Sequence, residues 1–175
     1  HDSISVRKLR ALIQRHAARC TEFDRLEQEL NDAYTAGEHE RTEALARALV
    51  RRYPRDPRVY WTAVGMFSTH GKFEEAERIA IAGIGLDSLS MDAGNGPCSQ
   101  CVGFFQIIHL AMQRRDFKAS ANWARRWISE QPDAPSPWAT LALTYLFSQK
   151  TDSALALQQR AITLSGSELW ALDSY

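Results

Sequence analysis

Residues 37–54 read GEHERTEALARALVRRYP, residues 71–88 GKFEEAERIAIAGIGLDS, residues 115–132 RDFKASANWARRWISEQP and residues 149–166 QKTDSALALQQRAITLSG. The first two begin 34 residues apart, and so do the last two. The middle pair begins 44 apart, one period plus ten residues, and the surplus falls in the glycine-rich stretch MDAGNGPCSQ at 91–100. A period of this size marks stacked supersecondary units that cannot bury a face alone, here with an insertion at one boundary.

Each unit divides into two helices with apolar residues at three- and four-residue spacing, joined by a short turn. Tyr60, Val64 and Phe67 share one helical face, repeated by Phe104, Ile108 and Ala111 and then by Trp138, Ala142 and Tyr145. The second helices carry a complementary seam: Ala76, Ile79, Ala80 and Gly83, then Ser120, Trp123, Ala124 and Trp127, then Ala154, Leu157 and Ala161. Small residues there let helices approach closely, while large aromatics fill the holes they leave. Pro54, Pro57, Pro132, Pro135, Pro137 and Gly166 punctuate the units. The spacing predicts helices at 5–20, 22–36, 38–53, 57–70, 73–87, 99–114, 117–131, 136–149, 152–165 and from 167 onward. No segment alternates long enough to argue for a strand, so the expected fold class is all-α.

This pattern resembles the tetratricopeptide repeat (TPR) family, whose 34-residue unit carries W-x2-L-G-x2-Y, then small and aromatic seam positions and a closing proline. The fullest match is Trp138, Leu141, Ala142 and Tyr145 followed by Ala154 and Ala161, with Gly166 where the family prefers proline. The second unit supplies Tyr60, Ala63, Val64, Phe67, Ala76 and Gly83, and the third Phe104, Ile107, Ile108, Ala111 and Pro132. The first supplies Leu26, Leu30 and Pro54, with Thr42 where alanine is usual. The resemblance implies a right-handed superhelix of stacked helix-turn-helix repeats: about 23–56, 57–88, 101–134 and 135–166. The insertion is then 89–100, residues 167–175 start a further repeat or cap, and 1–20 form a cap or linker ahead of the 21–175 repeat domain.

The resemblance further implies a concave face, lined by first helices, that holds a peptide or partner helix. The groove positions are Trp61, Gly65 and Ser68, then Phe105, His109 and Met112, then Leu143, Leu146 and Phe147. Family members that clamp a C-terminal carboxylate line this face with Lys, Arg and Asn; here only Asn31 is similar, so an apolar or helical ligand fits better. An aromatic stripe at helical spacing is also what core packing looks like. Trp61, Phe105, Leu146 and Phe147 therefore carry both readings, and serine at Trp61 and Phe105 separates them: loss of a partner with stability kept marks groove, unfolding marks packing.

ISVRKLRALIQRHAARC at 4–20 is a basic amphipathic helix, with Val6, Leu9, Ile13, Ala17 and Cys20 on one face. It reads first as a cap on the repeats, and second as a contact for an acidic partner or membrane surface. Thr21 followed by Asp24 is an N-cap signal for the helix that follows. Cys98 and Cys101 stand in C-x-x-C spacing before a predicted helix, compatible with a disulfide that pins the insertion, with redox response or with two of four metal ligands. Cys20, His16, His70 and His109 complete no recognisable metal spacing, and no histidine follows the motif, which excludes covalent haem attachment. No cofactor or metal is expected. A disulfide would suit an extracytoplasmic setting, though nothing else in the sequence assigns a compartment.

There is no G-x-x-x-x-G-K-[ST], G-x-S-x-G or H-E-x-x-H, and Gly83-Ile84-Gly85 lies inside a predicted helix, so no enzymatic activity is expected. The 21 basic and 21 acidic side chains balance, which argues against a dedicated nucleic-acid binder. The first 20 residues nonetheless hold five basic side chains and one acidic, leaving an acidic remainder. No apolar run approaches the roughly 18 residues needed to span a bilayer, and the sequence opens on His1 and closes on Tyr175 inside a helical pattern, as a piece of a longer protein would. The expected function is an interaction or scaffold module with a protein or peptide partner. Self-association through an internally filled groove and thiol-responsive regulation are the alternatives.

Overall fold

The computed structural model describes residues 21–86 and 99–166. The helix expected at 5–20, most of the 89–100 insertion including Cys98, and the segment from 167 lie outside the described residues. Among the described residues there are eight helices and no strand: α1 (Glu22–Thr35), α2 (His39–Arg52), α3 (Pro57–Thr69), α4 (Phe73–Leu86), α5 (Ser99–Gln113), α6 (Phe117–Glu130), α7 (Pro135–Phe147) and α8 (Thr151–Ser165). Each helix end that does not border undescribed residues lies within two residues of its expected position. The signals that set those ends act through hydrogen bonds. Thr21 Oγ1 accepts from Asp24 N at 3.2 Å and the Asp24 carboxylate accepts from Thr21 N at 2.7 Å, a reciprocal capping box on α1. The Asp56 carboxylate accepts from Arg58 N at 3.0 Å ahead of Pro57, whose missing N–H costs nothing in a first turn. Asp116 does the same for α6, accepting from Ala119 N at 2.9 Å.

The repeat is clearest in the turns. Gly37, Gly71, Arg115 and Gln149, the residues that open the four aligned segments, all have positive φ, at 74°, 72°, 59° and 61°. Each makes the same pair of backbone bonds. Gly37 N donates to Tyr34 O and Glu38 N to Ala33 O; Gly71 N to Ser68 O and Lys72 N to Phe67 O. Arg115 N donates to Met112 O and Asp116 N to Ala111 O; Gln149 N to Leu146 O and Lys150 N to Tyr145 O. This is the Schellman closure, which satisfies the last carbonyls of one helix and aims the chain into the next.

Two compact units divide the chain, one ending at Pro54 and the other beginning at Arg55. In the first, α1 and α2 form a hairpin, tied at its open end by the Arg52–Glu22 ion pair at 2.7 Å and an edge-to-face contact of Phe23 with Tyr53, centroids 5.2 Å apart. The second unit stacks three hairpins, α3/α4, α5/α6 and α7/α8: α4 packs on α5, α6 on α7, and the first helices contact one another in succession, α3 on α5 and α5 on α7. The seam residues are where the pattern puts them. Ala76, Ala80, Ser120, Ala124, Ala154 and Ala161 are buried, as are Val64, Phe67, Phe104, Ile107, Ile108 and Leu141, and each large side chain buried here contributes about 1.5–3 kcal/mol.

The third repeat fills its seam with aromatics. Phe104 stacks on Trp127 at 5.8 Å with the rings nearly parallel. Arg126 lies over both Phe104 and Trp123, at 5.8 and 5.3 Å. Two buried hydroxyls join hairpins: Ser120 Oγ and Thr144 Oγ1 are 2.8 Å apart, and Thr144 also donates to Thr140 O.

One groove candidate turns out to be packing. Trp61 is only 8% exposed. Its indole ring fills the space where α3, α4 and α5 converge, so that a Cβ on Gly83 would meet Trp61 Cη2 at 2.6 Å and one on Gly103 would come closer still. The two glycines are the hole and the tryptophan is what fills it, which leaves no face of the ring for a ligand.

Candidate functional site

The first helices of the second unit, α3, α5 and α7, present the remaining groove candidates. On α5, Phe105, His109 and Met112 follow one another at helical spacing. Phe105 is 45% exposed and its ring lies 4.2 Å from that of His109, tilted 40°. On α7, Leu146 and Phe147 are 53% and 59% exposed and Leu143 is partly buried one turn earlier. Met112 is partly buried, its sulfur 3.8 Å from Thr144 Oγ1 on α7. Leu155 on α8 and Ile81 on α4 are exposed as well, but on this layer the exposed side chains are accompanied by a cleft, and apolar surface beside a cleft is the kind that partners cover.

Between α3 and α5 this layer opens into a cleft of about 200 Å³, lined by Val64, Gly65, Ser68, Phe105, Gln106, His109, Leu110 and Gln113. Gly65 makes the opening, since a Cβ there would meet nothing within 4 Å. Ser68 turns its hydroxyl onto Gly65 O at 2.9 Å, and Gln106 Nε2 donates to Trp61 O at 3.2 Å, tying α5 to α3 across the floor. Gln106 Oε1 and His109 Nε2 are shielded from solvent and have no hydrogen-bond partner, as is also true of Trp61 Nε1. Burial holds the His109 imidazole below its ordinary value of 6.5, so the ring is neutral at pH 7 and the cleft carries no formal charge.

The structure thus brings Gly65, Ser68, Phe105 and His109 together on one cleft, places Met112, Leu143, Leu146 and Phe147 along the same layer, and removes Trp61 from it. Gln106 escaped the sequence reading because glutamine beside an aromatic stripe carries no motif. Its signal was its position, one turn ahead of His109 on the same helix. Cys101 is disulfide-bonded, and its partner lies outside the described residues, as does Cys98. Among the described residues no group of three His, Cys, Asp or Glu side chains is placed to hold a metal ion, and no helix is long and apolar enough to cross a membrane.

No family model matches the chain, and neither does any curated protein. Solved structures do. A crystal structure of MamA superposes with a TM-score of 0.61 over 90% of this chain and 86% of that one, at 11% identity. A second MamA structure gives 0.59 over 87% and 78%, at 12% identity. MamA residues 41 to the end from Desulfovibrio magneticus RS-1 give 0.57 over 87% and 80%, at 11% identity. The fold is a TPR-like helical solenoid. Identity this low speaks for the fold alone. Folds of this type generally serve as protein-interaction and scaffold modules, and what a given member binds is decided by the side chains on its surface.

Proposed function

We propose that this chain is a non-catalytic interaction module that binds a peptide or helical segment of a protein partner along the layer formed by α3, α5 and α7. The observation that carries this reading is the exposure of Phe105, Leu146 and Phe147 on that layer, next to an uncharged cleft, in a fold whose small seam residues show that large side chains are readily buried elsewhere. Exposed aromatics flanked by a pocket are what anchor residues of a partner dock against. The cleft lacks the cations that would capture a carboxylate terminus, so the bound segment is held by apolar contact and hydrogen bonds.

The test is to select a peptide on the purified chain from a displayed random library and map it by amide shift perturbation in ¹⁵N-labelled protein. The expected shifts cluster on α3, α5 and α7. Shifts confined to α4, α6 and α8, or a selection that yields no binding peptide, would overturn the reading. Light scattering on the same sample addresses self-association: a stable symmetric oligomer that blocks the selected peptide assigns the layer to a second copy of the chain instead.

A further inference from the structure

The cleft between α3 and α5 holds a chemical demand that its own walls do not meet. Gln106 spends its Nε2 on the Trp61 carbonyl and leaves Oε1 without a donor; His109, one helical turn further on, leaves Nε2 without a partner. Native structures satisfy nearly all buried polar atoms. Two orphans three residues apart on one helix, both on side chains lining one cleft, are therefore out of the ordinary.

We infer that this cleft is a specificity pocket for a side-chain carboxamide, an asparagine or glutamine of the bound segment. The inference rests on the peptide-binding reading above and names what that peptide must carry. Other side-chain classes fail on stated grounds. An ionised side chain would lose its hydration in a cleft whose walls supply no opposite charge. An aliphatic side chain would fill the volume and leave both orphans unpaired, the situation in which hydrogen-bonding sites reject apolar analogues. A hydroxyl could serve both orphans only from one point between them, donating to one and accepting from the other with its single oxygen.

A carboxamide places a donor and an acceptor on different atoms of one planar group. Its NH₂ donates to Gln106 Oε1. Its carbonyl accepts from His109 Nε2–H, or its second N–H donates to Nε2 in the other tautomer of the neutral ring. Phe105, beside His109, offers a flat apolar wall for the amide plane. Both orphan atoms are covered in the free protein, so occupation requires rotation of the His109 ring, and of the Gln106 amide about its retained bond to Trp61 O, toward the cleft that these side chains line. The cleft, at about 200 Å³, is large enough for one such side chain.

The test uses octapeptide pools with the central residue fixed as Gln, Asn, Leu, Glu or Lys and the others randomised, titrated by fluorescence anisotropy against the whole chain. The Gln or Asn pool is expected to bind roughly tenfold tighter than the Leu pool, as one to two hydrogen bonds would give. Gln106→Met and His109→Phe should each reduce that preference, read within each variant as the ratio of its carboxamide-pool to its Leu-pool affinity, to about twofold or less. If either variant fails to fold, Gln106→Leu or His109→Leu carries the same test, because each removes one orphan atom without introducing a charge. Binding by all pools without a carboxamide preference, a preference for Glu or Lys, or a preference that survives both substitutions would overturn the pocket and leave the interaction surface standing. Binding by no pool would overturn both.

Discussion

Trp61 shows how a single side chain can be read two ways until its neighbours are known. Gly83 and Gly103 have no Cβ where the indole sits, and Ile84 closes the same space from α4. Alanine in place of a mid-helix glycine usually adds about 0.5–1 kcal/mol, but forcing a methyl into a rigid ring costs about 1–3 kcal/mol. Overpacking wins. Gly103→Ala should lower stability in urea unfolding, and in a Trp61→Leu background, where only the Ile84 contact remains, the same substitution should cost less; equal effects in both backgrounds would mean that the ring is not what occupies the space. His109 makes the second prediction at this scale. Burial holds its folded-state value below the ordinary 6.5, so the unfolded chain binds more protons than the folded one. The stability this contributes is complete above about 6.5 and is lost as pH falls through that window toward the depressed folded value. Between pH 7.5 and 5.5 the wild type should therefore lose more stability than His109→Gln in matched denaturant titrations, and parallel losses would refute the assignment.

At the scale of elements, the four Schellman turns explain why the helix boundaries were so legible. Two of the turn positions are glycine and two are not: Arg115 and Gln149 hold φ near 60° with a full side chain. That conformation costs a non-glycine residue about 1–2 kcal/mol, so Arg115→Gly and Gln149→Gly should each raise the unfolding free energy, by about 1 kcal/mol once the entropy of glycine is set against it. No gain in either would mean that the side chains make compensating contacts. Period, breakers and caps are local signals, which is why α1 to α8 could be placed from spacing alone and why Thr21 with Asp24 announced the start of α1. The aromatic stripe was harder. Position on a helix face distinguishes inward from outward only when the facing partner is known, and the sequence named Trp61 and Gly83 without showing that they pair. Phe105, Leu146 and Phe147 carry the same periodic signal as Trp61, yet no glycine hole faces them and they stay exposed. Gln106 became visible only when α5 was set against α3, because an orphaned acceptor is a property of packing.

At the scale of the whole molecule, the balanced charge and ordinary composition concealed a division of labour. Small residues and aromatics close the hairpins on one another, and among the first helices α5 and α7 carry exposed Phe105, Leu146 and Phe147 beside an uncharged cleft with two unmet hydrogen-bonding atoms. A surface of this kind suits a partner chain, and recognition is the reading proposed for it. Phe105 is the residue on which the account turns, since it borders the cleft and is nearly half exposed. The most direct test is to measure Phe105→Ser twice, for its affinity to the selected peptide and for its thermal unfolding. The account predicts a melting temperature within about 4 °C of wild type, the shift expected of roughly 1 kcal/mol in a chain this long, together with at least about tenfold weaker binding. A variant that melts far earlier, or one that binds the peptide as the wild type does, would contradict it.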